Sequence, residues 1–253
     1  MWIIPGVKLP SIAGTPSIPA LRGLEVVWFG HSTFLVTSPR GVRVLFDPWL
    51  GTNPACPPSA RRVGAVDVML ITHGHSDHCG DAVSVARETG ASVVAVHELV
   101  SWLERQGVKQ GAPMNIGGRQ TISGLDITMV NALHSSSGEE GGHTVYAGPA
   151  TGFVVRFEDG LTIYFAGDTA LFGDMRLIGE RYSPSIAFLP IGDRYTMGPA
   201  DAAVAAEWIG AKTIVPMHYG TFPQLTGTPD QLREFARPKG IEVVVLCPGE
   251  STS

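Results

Sequence analysis

The sequence predicts an α/β fold, a four-layer αββα sandwich with two sheets inside and helices outside. The first sign is alternation: short apolar runs of strand length are interleaved with helical patterns along the chain. A second is a degenerate internal repeat. Phe34-Leu35-Val36, Gly41 and Val44-Leu45-Phe46-Asp47 parallel Phe153-Val154-Val155, Gly160 and Ile163-Tyr164-Phe165-Ala166-Gly167-Asp168. Each is strand, tight turn, strand, aspartate, and a duplicated half of this kind suits two facing sheets. The third is composition: 44% hydrophobic and 16% charged residues argue against disorder and for strands buried on one or both faces.

The elements follow in order. Strands are expected at Leu24–Trp28, Thr33–Thr37, Val42–Phe46, Val68–Ile71, Ser92–Val96 and Leu125–Val130. They continue at Gly152–Phe157, Leu161–Phe165, Ser185–Leu189, Thr213–Val215 and Glu242–Leu246. Turn residues at Ser38-Pro39-Arg40-Gly41 and Glu158-Asp159-Gly160 close the two hairpins. Helices are expected at Asp81–Thr89, Glu98–Gln106, Pro199–Ile209 and Pro229–Ala236, with Pro199 suited to a first helical turn.

The 253 residues suit one domain, 23–253, preceded by a Pro-rich segment, 1–22, that reads as a disordered arm or a strap onto a partner subunit. A homo-oligomer is compatible with the latter. Net charge is −5 and the basic residues are scattered, which weighs against a nucleic-acid surface. Cys56, Cys79 and Cys247 indicate no disulfide framework. No apolar run approaches membrane-spanning length, so no stable membrane insertion is expected. The N-terminus lacks a signal-peptide pattern, and the expected location is cytoplasmic.

The chemistry concentrates at Thr72-His73-Gly74-His75-Ser76-Asp77-His78, directly after the apolar run Val68–Ile71. Three of the chain's eight histidines and a carboxylate fall within six positions. Imidazole and carboxylate are the ligands that borderline divalent metals prefer. The spacing exceeds the needs of one ion: His73 and His75 can share one, while Asp77 and His78 lie past the turn. Cys79 follows directly and reads as a small packing residue.

This His-x-His-x-Asp-His motif resembles the signature of the metallo-β-lactamase superfamily. Further positions match in order, each after an apolar run: His134 in Asn131-Ala132-Leu133-His134, Asp168 in Phe165-Ala166-Gly167-Asp168, and His218 in Pro216-Met217-His218. The resemblance spans about Leu24 to Val245 and implies the same αββα sandwich. It implies two divalent ions, zinc, manganese or nickel. One would sit on His73, His75 and His134, the other on Asp77, His78 and His218, with Asp168 bridging. Ions roughly 3.5–4 Å apart can share a hydroxide that serves as nucleophile. Asp77 would ligate and orient that nucleophile. Asp47, in Phe46-Asp47-Pro48-Trp49, would hold ligand histidines by hydrogen bonds. His31 reads either as a turn residue or as a proton donor or substrate contact. His97 at a helix start and His143 in a Gly-rich loop read as structural.

A narrower resemblance is carried by Gly30-His31-Ser32-Thr33-Phe34-Leu35, Ala132-Leu133-His134-Ser135-Ser136, Ala166-Gly167-Asp168-Thr169 and Pro190-Ile191-Gly192-Asp193 with Thr196-Met197-Gly198-Pro199. These look like the metal-dependent hydrolases related to ascorbate-6-phosphate lactonase and, more distantly, to the phospholipase D of N-acylethanolamine phospholipids. The expected function is hydrolysis of a small-molecule lactone, ester, amide or phosphodiester by a metal-bridged hydroxide. A metallo-ribonuclease of the same superfamily and a metal-binding sensor without catalysis are the alternatives. Arg194 and Tyr195 precede the helix expected at Pro199. A helix N-terminus there would suit an anionic substrate group held by Arg194, unless Arg194 is simply a surface residue.

Overall fold

The computed structural model describes residues 18–252; the remainder of the expected N-terminal arm, residues 1–17, lies outside them. The described part of that arm includes a 3-10 turn, Pro19–Leu21, whose Leu21 is fully buried. The next residue, Arg22, donates from Nη1 to Ser185 Oγ at 2.8 Å.

The first sheet starts with three antiparallel strands, β1 (Glu25–Trp28), β2 (Phe34–Thr37) and β3 (Arg43–Phe46). Three parallel additions follow, β4 (Val68–Leu70), β5 (Ser92–Val96) and β6 (Gly111–Met114). Helices α1 (Ser76–Cys79) and α2 (Ala82–Thr89) join β4 to β5, and α3 (His97–Gln106) joins β5 to β6. The second half opens with β7 (Arg119–Ile122) and β8 (Leu125–Asn131), followed by a separate two-stranded hairpin, β9 (Ser137–Glu140) and β10 (His143–Tyr146). Then come β11 (Thr151–Arg156), β12 (Thr162–Phe165), α4 (Met175–Tyr182), β13 (Ile186–Pro190), α5 (Pro199–Ile209), β14 (Thr213–Met217), α6 (Pro229–Ala236) and β15 (Glu242–Val243). The last strand, β16 (Ser251–Thr252), returns to pair with β1.

The two seven-stranded sheets run β16-β1-β2-β3-β4-β5-β6 and β7-β8-β11-β12-β13-β14-β15. Read in that direction, both show three antiparallel pairings and then three parallel ones. The repeat legible in the two hairpins therefore extends over whole sheets. β3 and β12 occupy equivalent places, and so do the aspartates beyond them, Asp47 and Asp168.

The inner faces meet through aromatic rings. Phe46 stacks on Phe165 at 4.3 Å between centroids, and Phe34 meets Phe188 edge to face at 5.1 Å. All four are fully buried. Helices on the outer faces leave the central strands buried on both sides, which explains their nearly unbroken apolar runs. None of the helices among the described residues is long and apolar enough to cross a membrane.

Several elements differ from the sequence expectation. Helix α4 carries Gly179 in its interior, which weakens a helical signal. Its position requires the glycine: a Cβ there would lie 2.5 Å from the Ile209 carbonyl oxygen. The Glu242–Leu246 strand shortens to Glu242–Val243, because only those two residues pair with β14. His143 stands not in a loop but at the start of β10, because Gly141 and Gly142, both with positive φ, make the two-residue turn that a hairpin needs.

The aromatic stack yields a stability prediction. Phe165→Ala should cost about 3–5 kcal/mol, as large-to-small changes at fully buried aromatics do. Urea unfolding checks it; a loss under about 1 kcal/mol would show that inter-sheet packing at this ring does not hold the halves together.

Candidate metal centre

The site forms at one edge of the sandwich, where loops leave the strand ends. β4 ends at Leu70 and leads into His73 and His75; the short α1 then presents Asp77 and His78. From the second half, β8 leads to His134, β12 to Asp168 and β14 to His218. Gly74 makes the first loop possible. A Cβ there would lie 2.6 Å from Ala147 Cβ and 3.0 Å from the Ser137 carbonyl oxygen, so the neck of the β9–β10 hairpin packs directly on the histidine loop.

All seven residues expected as ligands converge. The donor atoms of His73, His75 and His134 lie within 4.8 Å of one another, and so do those of His73, His78 and Asp168. Asp77, His78 and His218 form another such group, which also includes His31. Asp168 stands between the sets: its Oδ2 is 2.9 Å from His218 Nε2, 3.3 Å from His78 Nε2 and 3.6 Å from His134 Nε2.

The donor set fits divalent ions. His78 Nε2 and Asp168 Oδ1 are buried and have no hydrogen-bond partner in the described structure. An unsatisfied buried polar atom carries a desolvation cost, which a bound cation would remove. Three imidazoles on one side, and a carboxylate with imidazoles on the other, suit a borderline metal. Cys79 is not in these groups. Its thiol donates to the Gly74 carbonyl at 3.2 Å, and burial pushes it up to about 12, which keeps it protonated.

Asp47 organises the cluster from behind. It is fully buried, accepts from Thr72 N at 2.8 Å and from Thr72 Oγ1 at 2.8 Å, and lies 2.8 Å from His78 Nδ1. Thr72 Oγ1 also lies 2.9 Å from His73 Nδ1. The link through Thr72 was not singled out from the sequence, although the residue directly precedes the motif. Among the described residues, three of the seven non-glycine residues with positive φ are here: His31 (56°), Asp47 (43°) and His218 (56°). Such conformations persist where the surroundings over-determine them, and they concentrate at functional sites.

Burial and mutual charge set the protonation of the cluster. Desolvation, reinforced by neighbouring histidines, holds His73, His75 and His134 below the ordinary imidazole range and brings His31 down to about 4. Burial opposes a charge on His78, but Asp168 and Asp47 outweigh it and hold that ring well above the usual value. Burial likewise opposes charge on Asp168 and Asp77. His218 and His78 overcome it for Asp168, as the His31 hydrogen bond and the His78 charge do for Asp77, and both carboxyls stay below their ordinary range. For Asp47 burial wins and pushes the carboxyl up, although His78 pulls it down.

A cleft of about 490 Å³ opens beside His75 and Asp77. Trp102 of α3 and Ser137, Glu139 and Thr144 of the β9–β10 hairpin form its far wall. None of the residues lining it is Lys or Arg. The sequence reading did not reach these wall residues, because the hairpin that brings them in was not foreseen. Arg194 and Tyr195 are not among the residues lining this cleft; the Arg194 guanidinium lies 5.5 Å from the Tyr195 ring, and Tyr195 is exposed. Gly198 caps α5 and Pro199 opens it as expected, but the hollow of about 300 Å³ at that end is lined by Asp193 and Asp201, not by Arg194.

Comparison with known proteins agrees with this geometry. Residues 42–219 match the family model described as a beta-lactamase superfamily domain. The UPF0173 metal-dependent hydrolase of Koribacter versatilis is 49% identical over 92% of this chain and 99% of its own length. That of Rubrobacter xylanophilus is 50% identical over 91% and 96%. Among solved structures, the metallo hydrolase Igni18 from Ignicoccus hospitalis is 37% identical, with a TM-score of 0.81 over 90% of this chain and 97% of that one. An isothiocyanate hydrolase from Delia radicum gut bacteria, 22% identical with a TM-score of 0.69 over 90% of this chain and 98% of that one, shares the fold. The chain belongs to the metallo-β-lactamase superfamily, among its metal-dependent hydrolases.

Two predictions arise here. Asp47→Ala should leave a folded protein whose metal affinity is about 10–100-fold weaker, because Thr72 and His78 lose their anchor. Chelator competition measures this, and unchanged affinity would remove Asp47 from the ligand support. The second concerns metal-free protein. His31, His73, His75 and His134 have lowered pKa values, so the unfolded chain takes up protons first as pH falls. Their contribution to stability is present above about pH 6.5 and is lost as pH falls toward the folded values, about 4 for His31. His78 and Asp47, with their raised values, run the other way. Chelated protein should therefore unfold at lower urea at about pH 5 than at about pH 7.5; a higher midpoint at the lower pH would contradict it.

Proposed function

We propose that this member of the metallo-β-lactamase superfamily hydrolyses a lactone, ester, amide or phosphodiester bond in a small molecule, with two divalent ions held across the His73–His75–His134 and Asp77–His78–His218 groups. The observation that carries the reading is the convergence of six donor residues around Asp168, whose Oδ2 faces histidines of both groups. Zinc, manganese and nickel all suit the donors. When bound, such ions polarise the oxygen of the scissile bond and make water acidic enough to attack near neutral pH. The kinship with ascorbate-6-phosphate lactonase and a cytosolic location belong to the same proposal.

The chain's own residues have separable tasks. Of the cluster's carboxylates Asp77 lines the cleft, and its side chain is 29% exposed while Asp168 is buried. It is thus placed to orient the attacking water and accept its proton. Asp47 and Thr72 hold His78 and His73. His31 Nε2 lies 3.2 Å from Asp77 Oδ2 and lines the same side of the cluster. A small-molecule substrate rather than RNA is supported by the net charge of −5 and by a cleft that pairs Asp77 and Glu139 without Lys or Arg.

Turnover screening of purified protein across lactones, phosphodiesters, thioesters and RNA, with zinc, manganese or nickel added, tests the class. Activity on RNA alone, or none with any metal, would overturn it. Asp77→Asn should keep the fold and lose most turnover, at least about 100-fold, since an amide accepts no proton; an unchanged kcat would eliminate this role.

Substrate charge is a further part of the proposal. Arg194 makes no salt bridge among the described residues, which leaves its guanidinium available to an anionic substrate group. Asp193 and Asp201 at the adjacent helix end oppose such binding. Arg194→Ala should raise KM for an anionic substrate and spare its neutral analogue; equal effects on both would end anion recognition by Arg194.

A further inference from the structure

We infer that His31 is a direct ligand of the second ion, a fourth protein donor beside Asp77, His78 and His218; this rests on the two-ion reading above. His31 is fully buried. Its Nε2 lies 3.2 Å from Asp77 Oδ2, and the donor atoms of all four residues lie within 4.8 Å of one another. Donors sharing one ion at about 2.0–2.2 Å stand roughly 3 to 4.4 Å apart. The His31–Asp77 separation matches the His78–Asp168 and His218–Asp168 separations of 3.3 and 2.9 Å.

The other ring nitrogen supports this. His31 Nδ1 lies 3.0 Å from Thr221 Oγ1, and that hydroxyl reaches the Tyr219 carbonyl at 3.3 Å. A hydroxyl has one proton. When Thr221 donates it to Tyr219, it accepts from His31 Nδ1–H, and Nε2 of the neutral ring is left with a lone pair. That lone pair then faces the Asp77 carboxylate, and two acceptors this close call for positive charge between them, a metal ion or a second ring proton. The opposite tautomer, in which Nε2–H donates to Asp77, makes His31 only a support for that carboxylate, so the two arrangements are distinguishable.

The backbone is built to place this ring. His31 has φ +56°, and Gly30 before it has φ +93° with Ala55 so close that a Cβ would lie 2.6 Å from Ala55 Cβ. The His31 carbonyl accepts from His218 N at 3.1 Å and from Trp28 Nε1 at 3.0 Å, and the two imidazoles pack at 4.0 Å between centroids. A space-filling residue would not require this strained conformation. The consequence is asymmetry. The His31–Asp77–His78–His218 group has four protein donors besides Asp168, whereas the His73–His75–His134 group has three; Asp77 in the first and His75 and His134 in the second are partly exposed. The more open position then lies on the three-histidine side, as catalytic sites keep one.

The test uses the full chain, stripped with chelator and titrated with cobalt(II). The parent should take up two equivalents. His31→Ala should still take up two, with one bound about 10–100-fold more weakly. The visible cobalt bands of that equivalent should change and be restored toward the parent's by added imidazole. Cobalt bands identical in parent and variant for both equivalents would show that His31 only supports Asp77 and would overturn the inference. A parent that binds one equivalent would overturn the two-ion reading itself. If His31→Ala fails to fold, anomalous diffraction from crystals of the cobalt-loaded parent decides. An ion about 2.0–2.2 Å from His31 Nε2 upholds the inference, and one beyond about 3 Å overturns it.

Discussion

The metal site depends on one buried contact: His78 held between two aspartates that terminate equivalent strands. Asp47 follows β3 and meets Nδ1; Asp168 follows β12 and meets Nε2. The two halves repeat the same order of strand pairings, so the contact joins like to like across the interface between the sheets. Burying two carboxylates and an imidazole is costly unless their charges and hydrogen bonds are matched. Here Thr72 satisfies Asp47 through both its N–H and its hydroxyl, and His218 satisfies Asp168. Asp168 Oδ1 has no hydrogen-bond partner in the described structure and His78 Nε2 only the 3.3 Å approach of Asp168 Oδ2, and these are the atoms a cation would use. Polar matching in the fold and vacant valence at the site are thus two sides of one arrangement.

Strain is distributed consistently with that view. His31, Asp47 and His218 take left-handed backbone conformations, and each turns the chain sharply at a strand end or hairpin start. A residue held this way costs on the order of 1–3 kcal/mol, offset elsewhere by packing. The aromatic layer of Phe34, Phe46, Phe165 and Phe188 directly below supplies such packing. A rigid apolar floor lets the loops above it hold conformations they would not keep alone.

The sequence was legible where local pattern and tertiary role coincide. The apolar runs before His73, Asp168 and His218 are strands because both of their faces are buried, so length and composition sufficed. Ser92–Val96, Pro199–Ile209 and Pro229–Ala236 have the expected boundaries. Legibility failed where a distant contact decides. Helix α4 forms around Gly179 because Ile209 lies against it, and nothing local signals Ile209. Strand β6 contains Gly111 and Pro113, poor strand residues that an edge position tolerates. The β9–β10 hairpin carries a Gly141-Gly142 turn, but Ser137-Gly138-Glu139-Glu140 lacks the apolar alternation that marks a strand. His31 showed the same limit at the site. Its residue type and turn position were readable, but its approach to Asp77, 46 residues away in sequence, was not.

The hairpin explains how one metal scaffold could serve different substrates. Its neck touches Gly74 between two ligand histidines, and Gly74 N donates to Ser136 Oγ at 3.2 Å just before the hairpin begins. Its strands then run outward to wall the cleft with Glu139 and Thr144. The ligand loop and the cleft wall are therefore fixed to each other at one end and independent at the other. Changes at the neck must disturb the ligands, because no atom can be added at Gly74 without displacing Ala147 or Ser137. Changes farther out alter only the wall. The candidate ligands thus sit at the strand ends while the cleft wall is an appended element, and loops and appended elements are where a fold's substrate range can change.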